Sequence, residues 1–307
     1  MSFDLVSVGT VALDSIKTPF GVVDNVLGGS GTYFSLAASF FTKPGVVSVV
    51  GKDFPEKHLD FLREREIDVE GIEKTDGKTF HWEGYYENDM NCAHTTKTDL
   101  NVLATFKPKI PKKYRKCKFL FLANIDPDIQ LKVLEEVKPK YCLCDTMNYW
   151  INSKKEALTE VFKKVEGMII NEGEARQYCE TPNLIKAGNM LSEISRGVVI
   201  LKKGEHGALF FKDDDFFAAP GFPTVNVLDP TGAGDSFAGG TLGHLAKHGV
   251  FDTQTIKKSI VMGSIIASYV VEGFSVDGVK NKRQQDIQER YDIFKKIVAF
   301  DHEYESL

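Results

Sequence analysis

Short runs of consecutive apolar residues recur along this 307-residue chain, and segments of helical length separate them. The runs lack apolar–polar alternation, which is typical of parallel strands that are covered on both faces. Strands that alternate with helices predict a layered α/β fold with a mostly parallel sheet. The predicted strands are 5–8, 46–50, 119–122, 141–145, 168–170 and 198–201. The predicted helices between them are 32–40, 55–65, 127–137, 155–165 and 184–195.

Residues 78–101 break this pattern. Aromatic residues alternate there, with Phe80, Trp82, Tyr85 and Tyr86 close together, and this favours antiparallel strands over a helix. Residues 15–26 are also strand-like. The two segments together predict a small sheet that projects from the core, with an ordinary extra sheet edge as the alternative.

Composition limits the compartment and the partners. A net charge of −5 and a pI near 5.9 argue against a nucleic-acid partner. No apolar stretch reaches membrane-spanning length, and the start at residues 1–4 does not resemble a signal peptide, so we expect a cytoplasmic protein without a membrane partner. The five cysteines form no framework and predict reduced thiols. Cys142 and Cys144 flank one residue of a strand, and a metal or redox pair there stays open.

The most informative segment for function is Asp229-Pro-Thr-Gly-Ala-Gly-Asp235. Gly232, Ala233 and Gly234 are small, so their backbone N–H groups can turn toward one point. A helix is predicted from about residue 236, and the positive end of its dipole adds to the attraction for an anion. The loop is therefore predicted to hold a negative charge. Its helix has a predicted buried stripe, which consists of Phe237, Leu242, Leu245 and Ala246.

Asp235 places a carboxylate at the edge of this predicted anion hole. A base beside an anion hole suits phosphoryl transfer to a hydroxyl, because Asp235 can take the hydroxyl proton while the amides hold the phosphate charge. The alternative is a glycine-rich turn in which Asp235 caps the helix. The chain contains no Walker loop, and Phe34 stands where a dinucleotide fingerprint needs its third glycine.

These residues resemble the C-terminal signature of the ribokinase-like (PfkB) carbohydrate kinase family. Three other segments resemble further motifs of that family, in its order: Leu27-Gly-Gly-Ser-Gly31 before an apolar helix, Asn171-Glu-Gly-Glu174, and Lys203-Gly-Glu-His-Gly207. The resemblance spreads over nearly the whole chain. It implies a layered α/β/α fold in one kinase domain, residues 1–307, with a lid sheet from about 15–26 and 78–102.

The resemblance implies an ATP-dependent transfer of the γ-phosphoryl group, with magnesium. The lid covers the acceptor and keeps water away from the transferred group. In the family such a lid is often a dimer contact, so a homodimer is expected through it. The other class of function left open is a non-catalytic protein that senses a sugar or nucleotide. A vitamin kinase of the superfamily is a third possibility, although such kinases usually lack the lid.

The resemblance assigns the acceptor to the N-terminal motifs. Asp14 matches an aspartate that binds acceptor hydroxyls, and a carboxylate can accept from a vicinal diol. Gly28 and Gly29 match glycines that lie against the acceptor, and Ser30 can add a hydroxyl contact. Ribokinases usually carry lysine and asparagine where this chain has Ser30 and Tyr33. The Tyr33 ring suits a sugar or a base, so we favour a sugar or sugar-like alcohol as acceptor, with an adenosine-type nucleoside as the alternative.

The resemblance also implies which residues bind the nucleotide and the metal ions. Glu174 is expected to orient water around magnesium with Asn171 near the phosphates, whereas a helix-capping pair is the alternative. Asp229 and Thr231 match positions that lie near a monovalent cation in the family, so the resemblance allows for activation by potassium. Pro230 stands where many relatives have threonine, which can alter that loop. The residues expected to border the nucleotide are Lys202, Gly204, Gly207, Gly263 and Ala267.

Overall fold

Thirteen strands and eleven helices make up the part of the chain that the computed structural model describes, residues 3–195 and 197–299. The strands are β1 (Leu5–Val8), β2 (Ala12–Thr18), β3 (Gly21–Gly28), β4 (Gly45–Gly51), β5 (Asp68–Thr75), β6 (His81–Tyr85), β7 (His94–Asp99), β8 (Phe119–Leu122), β9 (Tyr141–Cys144), β10 (Gly167–Asn171), β11 (Val198–Lys202), β12 (Ala208–Lys212) and β13 (Asp215–Ala219). The helices are α1 (Ser30–Ala38), α2 (Glu56–Glu64), α3 (Pro127–Glu136), α4 (Asn148–Ser153), α5 (Lys155–Phe162), α6 (Glu172–Cys179), α7 (Leu184–Ile194), α8 (Ala233–His248), α9 (Thr253–Val270), α10 (Asp277–Lys280) and α11 (Gln284–Val298).

Nine of the strands form one sheet in the order β13-β12-β11-β10-β9-β8-β1-β4-β5. From β11 to β5 every neighbouring pair is parallel, and only β12 and β13 join antiparallel. The predicted, mostly parallel sheet is confirmed. Its carboxyl ends share one edge, which is where ligands bind in open α/β sheets.

Helices cover both faces of this sheet. Along β8, Phe119 and Phe121 pack in one buried cluster with α8 and α9, whereas Leu120 and Leu122 pack on the opposite face with α5 and α7. All four side chains are fully buried, because successive side chains of a strand point to opposite faces and both faces are covered. The α/β/α layering predicted from the continuous apolar runs is thus confirmed.

The four remaining strands form a second sheet, in the order β3-β2-β6-β7. The antiparallel pairing predicted for residues 78–101 is found between β6 and β7, and β2 pairs antiparallel with β3. The central pair, β2 and β6, runs parallel, so the sheet is mixed. In its register Asp14 lies beside Trp82, and both therefore point to the same face.

The boundaries of the predicted elements hold within a few residues, with one shift that matters for the site. Helix α8 begins at Ala233, three residues before the predicted start, so Asp235 lies in its first turn rather than before it. The predicted buried stripe, from Phe237 to Ala246, lies in the core. Three strands were not predicted, namely β5, β12 and β13.

Helix α8 lies against α1 and α9 through residues that have no side chain. A Cβ atom on Gly239 would overlap the carbonyl of Phe34 in α1, and a Cβ on Gly263 of α9 would overlap the Phe237 carbonyl of α8. Gly240 and Gly263 face each other at the crossing. The three helices can therefore pack backbone to backbone. This close packing fixes the position of α8, and with it the position of the loop at its N-terminus.

Among the described helices, none combines the length and the apolar character that a bilayer crossing requires. The five cysteines are unpaired thiols, of which Cys92 is exposed and the other four are buried. Residues 1 and 2 of the predicted leaderless start, and both ends of the predicted domain 1–307, lie outside the described residues.

Candidate active site

The glycine-rich loop forms the N-terminus of α8. Gly232 caps the helix in the left-handed region, with φ 76°, a conformation that glycine adopts without strain. The Ala233 N–H donates to the Pro230 carbonyl at 3.1 Å. The N–H groups of Gly232 and Gly234 have no acceptor anywhere in residues 3–195 and 197–299. Of the three amides predicted to form the anion hole, two are therefore free to receive an anion.

The fully buried carboxylate of Asp229 holds this loop in place. It accepts from the Thr231 N–H at 2.9 Å and from the Ser275 N–H at 3.2 Å, while the Ser275 hydroxyl donates to the carbonyl of Leu27. Asp229 thus ties the anion loop to residues 271–276, and through them to the end of β3. The Thr231 hydroxyl contacts the Tyr86 hydroxyl at 3.3 Å, which links the loop to the small sheet.

Asp235 is partly exposed in the first turn of α8. Burial among its neighbours raises its pKa to about 7, the nearby Asp145 carboxylate adds to the rise, and the Lys202 ammonium opposes it. A carboxylate with a pKa near 7 can accept a proton at neutral pH and is a stronger base than an ordinary aspartate. The position and the pKa therefore suit the predicted general base.

Asp14 lies against the double-glycine segment, as the sequence predicts. A side chain on Gly28 would overlap the Asp14 carboxylate, and a side chain on Gly29, whose φ is +96°, would overlap the Thr10 carbonyl. Burial raises the pKa of Asp14 to about 7; the Gly29 N–H opposes the rise, and the charges of Asp229 and Asp235 add to it. The glycines thus make room for a buried carboxylate that lies within electrostatic reach of Asp235.

Tyr33 lies between the acceptor segment and the anion loop. Its ring packs directly on Gly232, where any Cβ would overlap it. Its side chain is 1% exposed, and its hydroxyl is one of four buried side-chain polar atoms in the described residues without a hydrogen-bond partner. A buried hydroxyl without a partner is costly, so a ligand hydroxyl is a fitting partner for it.

Ser30 uses its hydroxyl within the protein. The oxygen accepts from the Thr10 N–H at 3.2 Å and donates to the Asn124 carbonyl at 3.3 Å. The Asn124 amide oxygen in turn accepts from the Trp150 indole at 3.0 Å. Ser30 therefore connects β1, α1 and the loop after β8, and its predicted contact with the acceptor stays a prediction.

Asn171 and Glu174 form a capping box at the start of α6. The Asn171 side chain accepts from the Glu174 N–H, and the Glu174 carboxylate accepts from the Asn171 N–H, both at 2.8 Å. Glu174 is also buried beside charged groups: burial and the Asp145 charge raise its pKa to about 8, against the opposing charge of Lys202. The two residues thus form the helix-capping pair that was the alternative to a magnesium role. The Glu174 carboxylate also lies within electrostatic reach of Asp235.

Lys202, at the end of β11, makes the strongest ionic contact of this region. Its ammonium lies 2.8 Å from the Asp145 carboxylate, and the two side chains are 14% and 4% exposed. A Cβ on Gly234 would lie only 3.2 Å from the same ammonium. Lys202 was predicted to border the nucleotide, but its pairing with Asp145 was not. The only sequence signal was that Asp145 stands at a strand end.

Two of the other predicted nucleotide contacts lie in one turn. Gly204 and Gly207 have positive φ, and residues 204–206 form a single 3₁₀ turn after β11. A Cβ on Gly204 would overlap the side chain of Asn91, which belongs to the loop between β6 and β7. The small sheet thus reaches the predicted nucleotide turn. Gly263 is buried at the crossing with α8 and Ala267 is partly exposed, and their nucleotide role stays a prediction.

The small sheet presents an indole on the face that also carries Asp14. Trp82 shares the Asp14 face, and its ring lies over Gly84, where a Cβ would overlap it. The indole N–H donates to the Thr95 hydroxyl at 3.1 Å, which fixes the ring along the strand. The indole is partly exposed and forms a flat apolar surface on the same face of the sheet as Asp14.

The chain matches the profile of the pfkB family carbohydrate kinases over residues 16–281. It is 30% identical over 245 residues to a cytidine kinase of Thermococcus kodakarensis, a match that covers 78% of this chain and 87% of that protein. It is 24% identical to inositol 3-kinase of Arabidopsis thaliana, over 86% of this chain and 73% of the relative.

The fold is similar to solved structures as well. The Methanocaldococcus jannaschii nucleoside kinase, described as an archaeal member of the ribokinase family, superposes with a TM-score of 0.77 at 20% identity, over 95% of this chain and 99% of that one. A putative ribokinase II from E. coli, solved with ATP and Mg²⁺, has the same TM-score at 17% identity, over 95% and 100%. These likenesses concern the arrangement of the backbone.

Proposed function

The chain belongs to the pfkB family of carbohydrate kinases, phosphotransferases that act on a hydroxyl acceptor, and on this premise we propose that it transfers the γ-phosphoryl group of ATP to a small polyhydroxylated acceptor. The observation that carries the proposal is a single cluster. Asp235, with a pKa near 7, lies in the same helical turn as two unpaired amides. That turn provides a proton acceptor and an anion hole side by side.

In this proposal the acceptor lies between Asp14 and Tyr33. The Asp14 carboxylate accepts hydrogen bonds from two neighbouring hydroxyls, and the backbone of Gly28 and Gly29 lies against the acceptor. The Tyr33 hydroxyl gains the partner that it lacks in the protein. The acceptor is thereby oriented with one free hydroxyl toward Asp235, and this alignment lowers the entropic part of the barrier.

Proton transfer and charge stabilisation then follow from the first turn of α8. Asp235 takes the hydroxyl proton as the acceptor oxygen bonds to the γ-phosphorus and the bond to the ADP oxygen breaks. The free amides of Gly232 and Gly234, at the positive end of the helix dipole, hold the charge of the transferred group. The bulk of the lid excludes water, which would otherwise compete as acceptor.

Magnesium would enter this region with the nucleotide phosphates rather than in a protein cage, because the described residues contain no cluster of three or more carboxylate, histidine or cysteine side chains that could hold a metal ion. The Asp145 charge adds to the raised pKa of both Glu174 and Asp235, and Lys202 is the counter-charge near all three carboxylates. Polyphosphate added to such a site needs further positive charge, which a bound magnesium ion would supply. Glu174 would orient water of the metal ion, with Asn171 near the phosphates.

We assign Lys202, Gly204, Gly207, Gly263 and Ala267 to the border of the nucleotide. Asp229 and Thr231 are proposed to lie next to a monovalent cation, although both oxygens of Asp229 already accept backbone N–H groups. Potassium activation is tested by comparing turnover in KCl and in tetramethylammonium chloride at equal ionic strength. Equal rates would remove this part of the proposal.

The experiment for the proposed function is an acceptor panel. The purified chain is incubated with ATP, MgCl₂ and single pentoses, hexoses, inositols or nucleosides, and the release of ADP is measured. We expect release that depends on one class of acceptor. Binding of sugar or nucleoside by calorimetry without any acceptor-dependent release would instead identify the alternative, a non-catalytic sensor.

A nucleoside is the second candidate for the acceptor, and the Trp82 indole, on the same face of the small sheet as Asp14, favours it. A base can stack on the indole while the ribose diol reaches the carboxylate, and such stacking contributes about 1–3 kcal/mol. The cytidine kinase among the relatives also supports it. Trp82→Ala should then raise KM for a nucleoside about tenfold or more but leave KM for a simple sugar unchanged. An equal effect on both would reject the stacking.

We further propose that the chain acts as one kinase domain, with segments 15–26 and 78–102 as its lid. The strands of the small sheet coincide with these segments. The lid is also the proposed contact of a homodimer, because its hairpin between β2 and β3 exposes apolar side chains.

A further inference from the structure

Lys202 and Asp145 form an ion pair whose position is unusual for a structural pair. The two groups lie at the ends of β11 and β9, with β10 between them, and their charged atoms are 2.8 Å apart. Removing two charges from water costs several kcal/mol per ion, which the attraction between them only partly restores. Apolar residues of similar size would be cheaper for the fold, so the pair calls for a role beyond stability.

The surroundings indicate what that role is. Burial lowers the pKa of Lys202, but the carboxylates of Asp145, Glu174 and Asp235 raise it above its usual value. The ammonium therefore stays charged. It also lies next to Gly234, one of the two residues whose amides have no acceptor. A fixed positive charge thus adjoins the unpaired donors of the anion loop.

Asp145 is itself held firmly. Its second carboxylate oxygen accepts from the Thr146 N–H at 2.8 Å, and its carbonyl accepts from the buried Gln130 amide at 3.2 Å. The hydroxyl of Thr146 is buried and has no partner in the described residues. A rigid carboxylate that holds the lysine through one oxygen fixes the direction of the ammonium, and the unpaired hydroxyl beside it offers a further donor to a ligand.

We propose that Lys202 is a catalytic residue that donates to the oxygens of the γ-phosphoryl group during transfer, and that Asp145 positions it. This inference rests on the proposed function. As the bond from the acceptor oxygen to phosphorus forms and the bond to the ADP oxygen breaks, negative charge is spread over the three equatorial oxygens of the transferred group, and Lys202 beside Gly234 stabilises it there. The proton of the acceptor still goes to Asp235, so Lys202 keeps its own protons throughout.

The decisive experiment separates a role in transfer from a role in stability. Lys202→Met removes the charge but keeps most of the length, and Asp145→Asn keeps a group that can accept from Thr146. Each single variant leaves one member of the ion pair without its partner and should lower Tm, whereas the double variant K202M/D145N removes both members and should recover most of the lost Tm. We expect its kcat to remain at least about a hundredfold below that of the wild type.

A binding measurement provides a readout besides activity. Titration calorimetry compares ADP alone with ADP plus aluminium fluoride and acceptor, a combination that mimics the transferred group. Lys202→Met should have a Kd for ADP within about threefold of the wild type, but a Kd for the fluoride complex at least about a hundredfold higher.

Asp145→Asn should lower kcat more than it changes KM for ATP. Lys257→Met, which removes a comparable 2.7 Å ion pair with Asp215 at the edge of the sheet, is the matched control and should change neither.

The outcomes distinguish this inference from the proposed function. A double variant that regains both Tm and kcat, or a Lys202→Met variant that binds the fluoride complex as tightly as the wild type, overturns the role of Lys202 alone. A wild-type chain that phosphorylates no acceptor overturns the proposed function and this inference together.

Discussion

At the scale of single residues, the two carboxylates Asp14 and Asp235 set the expected pH dependence. Both have a pKa of about 7 and both act as anions in the proposed reaction. We expect kcat/KM to fall as the pH drops below 7, with a logarithmic slope above one. Asp235→Asn should lower turnover roughly several hundredfold and reduce that slope, because one of the two groups is gone.

The control for this prediction is Asp24→Asn, which changes an exposed carboxylate on β3 and should leave the profile unaltered. The profile is measured by ADP release from about pH 5.5 to about pH 9, so that it covers the protonated and the ionised states of Asp14 and Asp235. If Asp235→Asn kept near-normal turnover, Asp235 would have no part in the chemistry.

The same substitution carries a prediction about stability. The pKa of Asp235 in the folded chain is raised from 3.8 to about 7, so its contribution favours the fold below pH 4 and is lost as the pH rises through about 7. At pH 8 the ligand-free wild type therefore carries an ionised carboxylate that Asp235→Asn lacks. The variant should melt a few degrees higher at pH 8, and the difference should vanish near pH 4. Equal melting curves at pH 8 would contradict the raised pKa.

At the scale of secondary structure, helix α8 offers a matched pair of glycines. Gly232 at its N-terminus and Gly249 at its C-terminus both have positive φ, 76° and 69°. A Cβ on Gly232 would meet the Tyr33 ring, whereas a Cβ on Gly249 would meet only the mobile tip of Lys118. The left-handed backbone alone makes each change to alanine cost about 1–2 kcal/mol of stability, and the overlap with the Tyr33 ring adds to the cost at Gly232. Only Gly232→Ala should also lower kcat, and equal kinetic losses in both would show that the effect is not local to the anion loop.

The elements themselves differ in how far the sequence predicts them. Strand β8 consists of apolar residues only, Phe119–Leu122, and its prediction is correct to the residue. Strand β5, Asp68–Thr75, alternates charged and apolar residues at the sheet edge and gives no such run, so it was missed. The hairpin of β12 and β13 was missed because each strand is only five residues long and rich in phenylalanine. A loop that buries a few aromatic side chains would have the same sequence pattern.

The site shows the same division. Asp14, Asp235 and the glycines lie in contiguous motifs, so residue type and spacing along the chain are enough to identify them. The pair of Asp145 and Lys202 spans 57 positions and two strands that are not neighbours. The order of the strands in the sheet brings these residues together, and no contiguous motif of the sequence specifies that order.

At the scale of the whole molecule, the hairpin of the small sheet predicts self-association. Phe20 and Val22 are 61% and 63% exposed, and β3 is an edge strand. Pairing of two such edges would cover both side chains and the unpaired backbone groups. We expect a dimer in sedimentation velocity, which Val22→Lys should convert to a monomer. Val225→Lys, at a 97% exposed position outside the sheet, is the control; a monomeric wild type would reject the dimer.

The backbone contacts of α8 with α1 and α9 extend the active site beyond its own residues. Gly239 and Gly263 hold α8 against α1 and α9, and they thereby set the position of its first turn, which carries Asp235. A methyl group added at either glycine would displace the first turn of α8, and a displacement of about an ångström in a reacting group can lower the rate about a hundredfold. In a complete mutational scan, the most intolerant positions of this chain should therefore include Gly239, about one helical turn after Asp235, and Gly263, which packs on the Phe237 carbonyl.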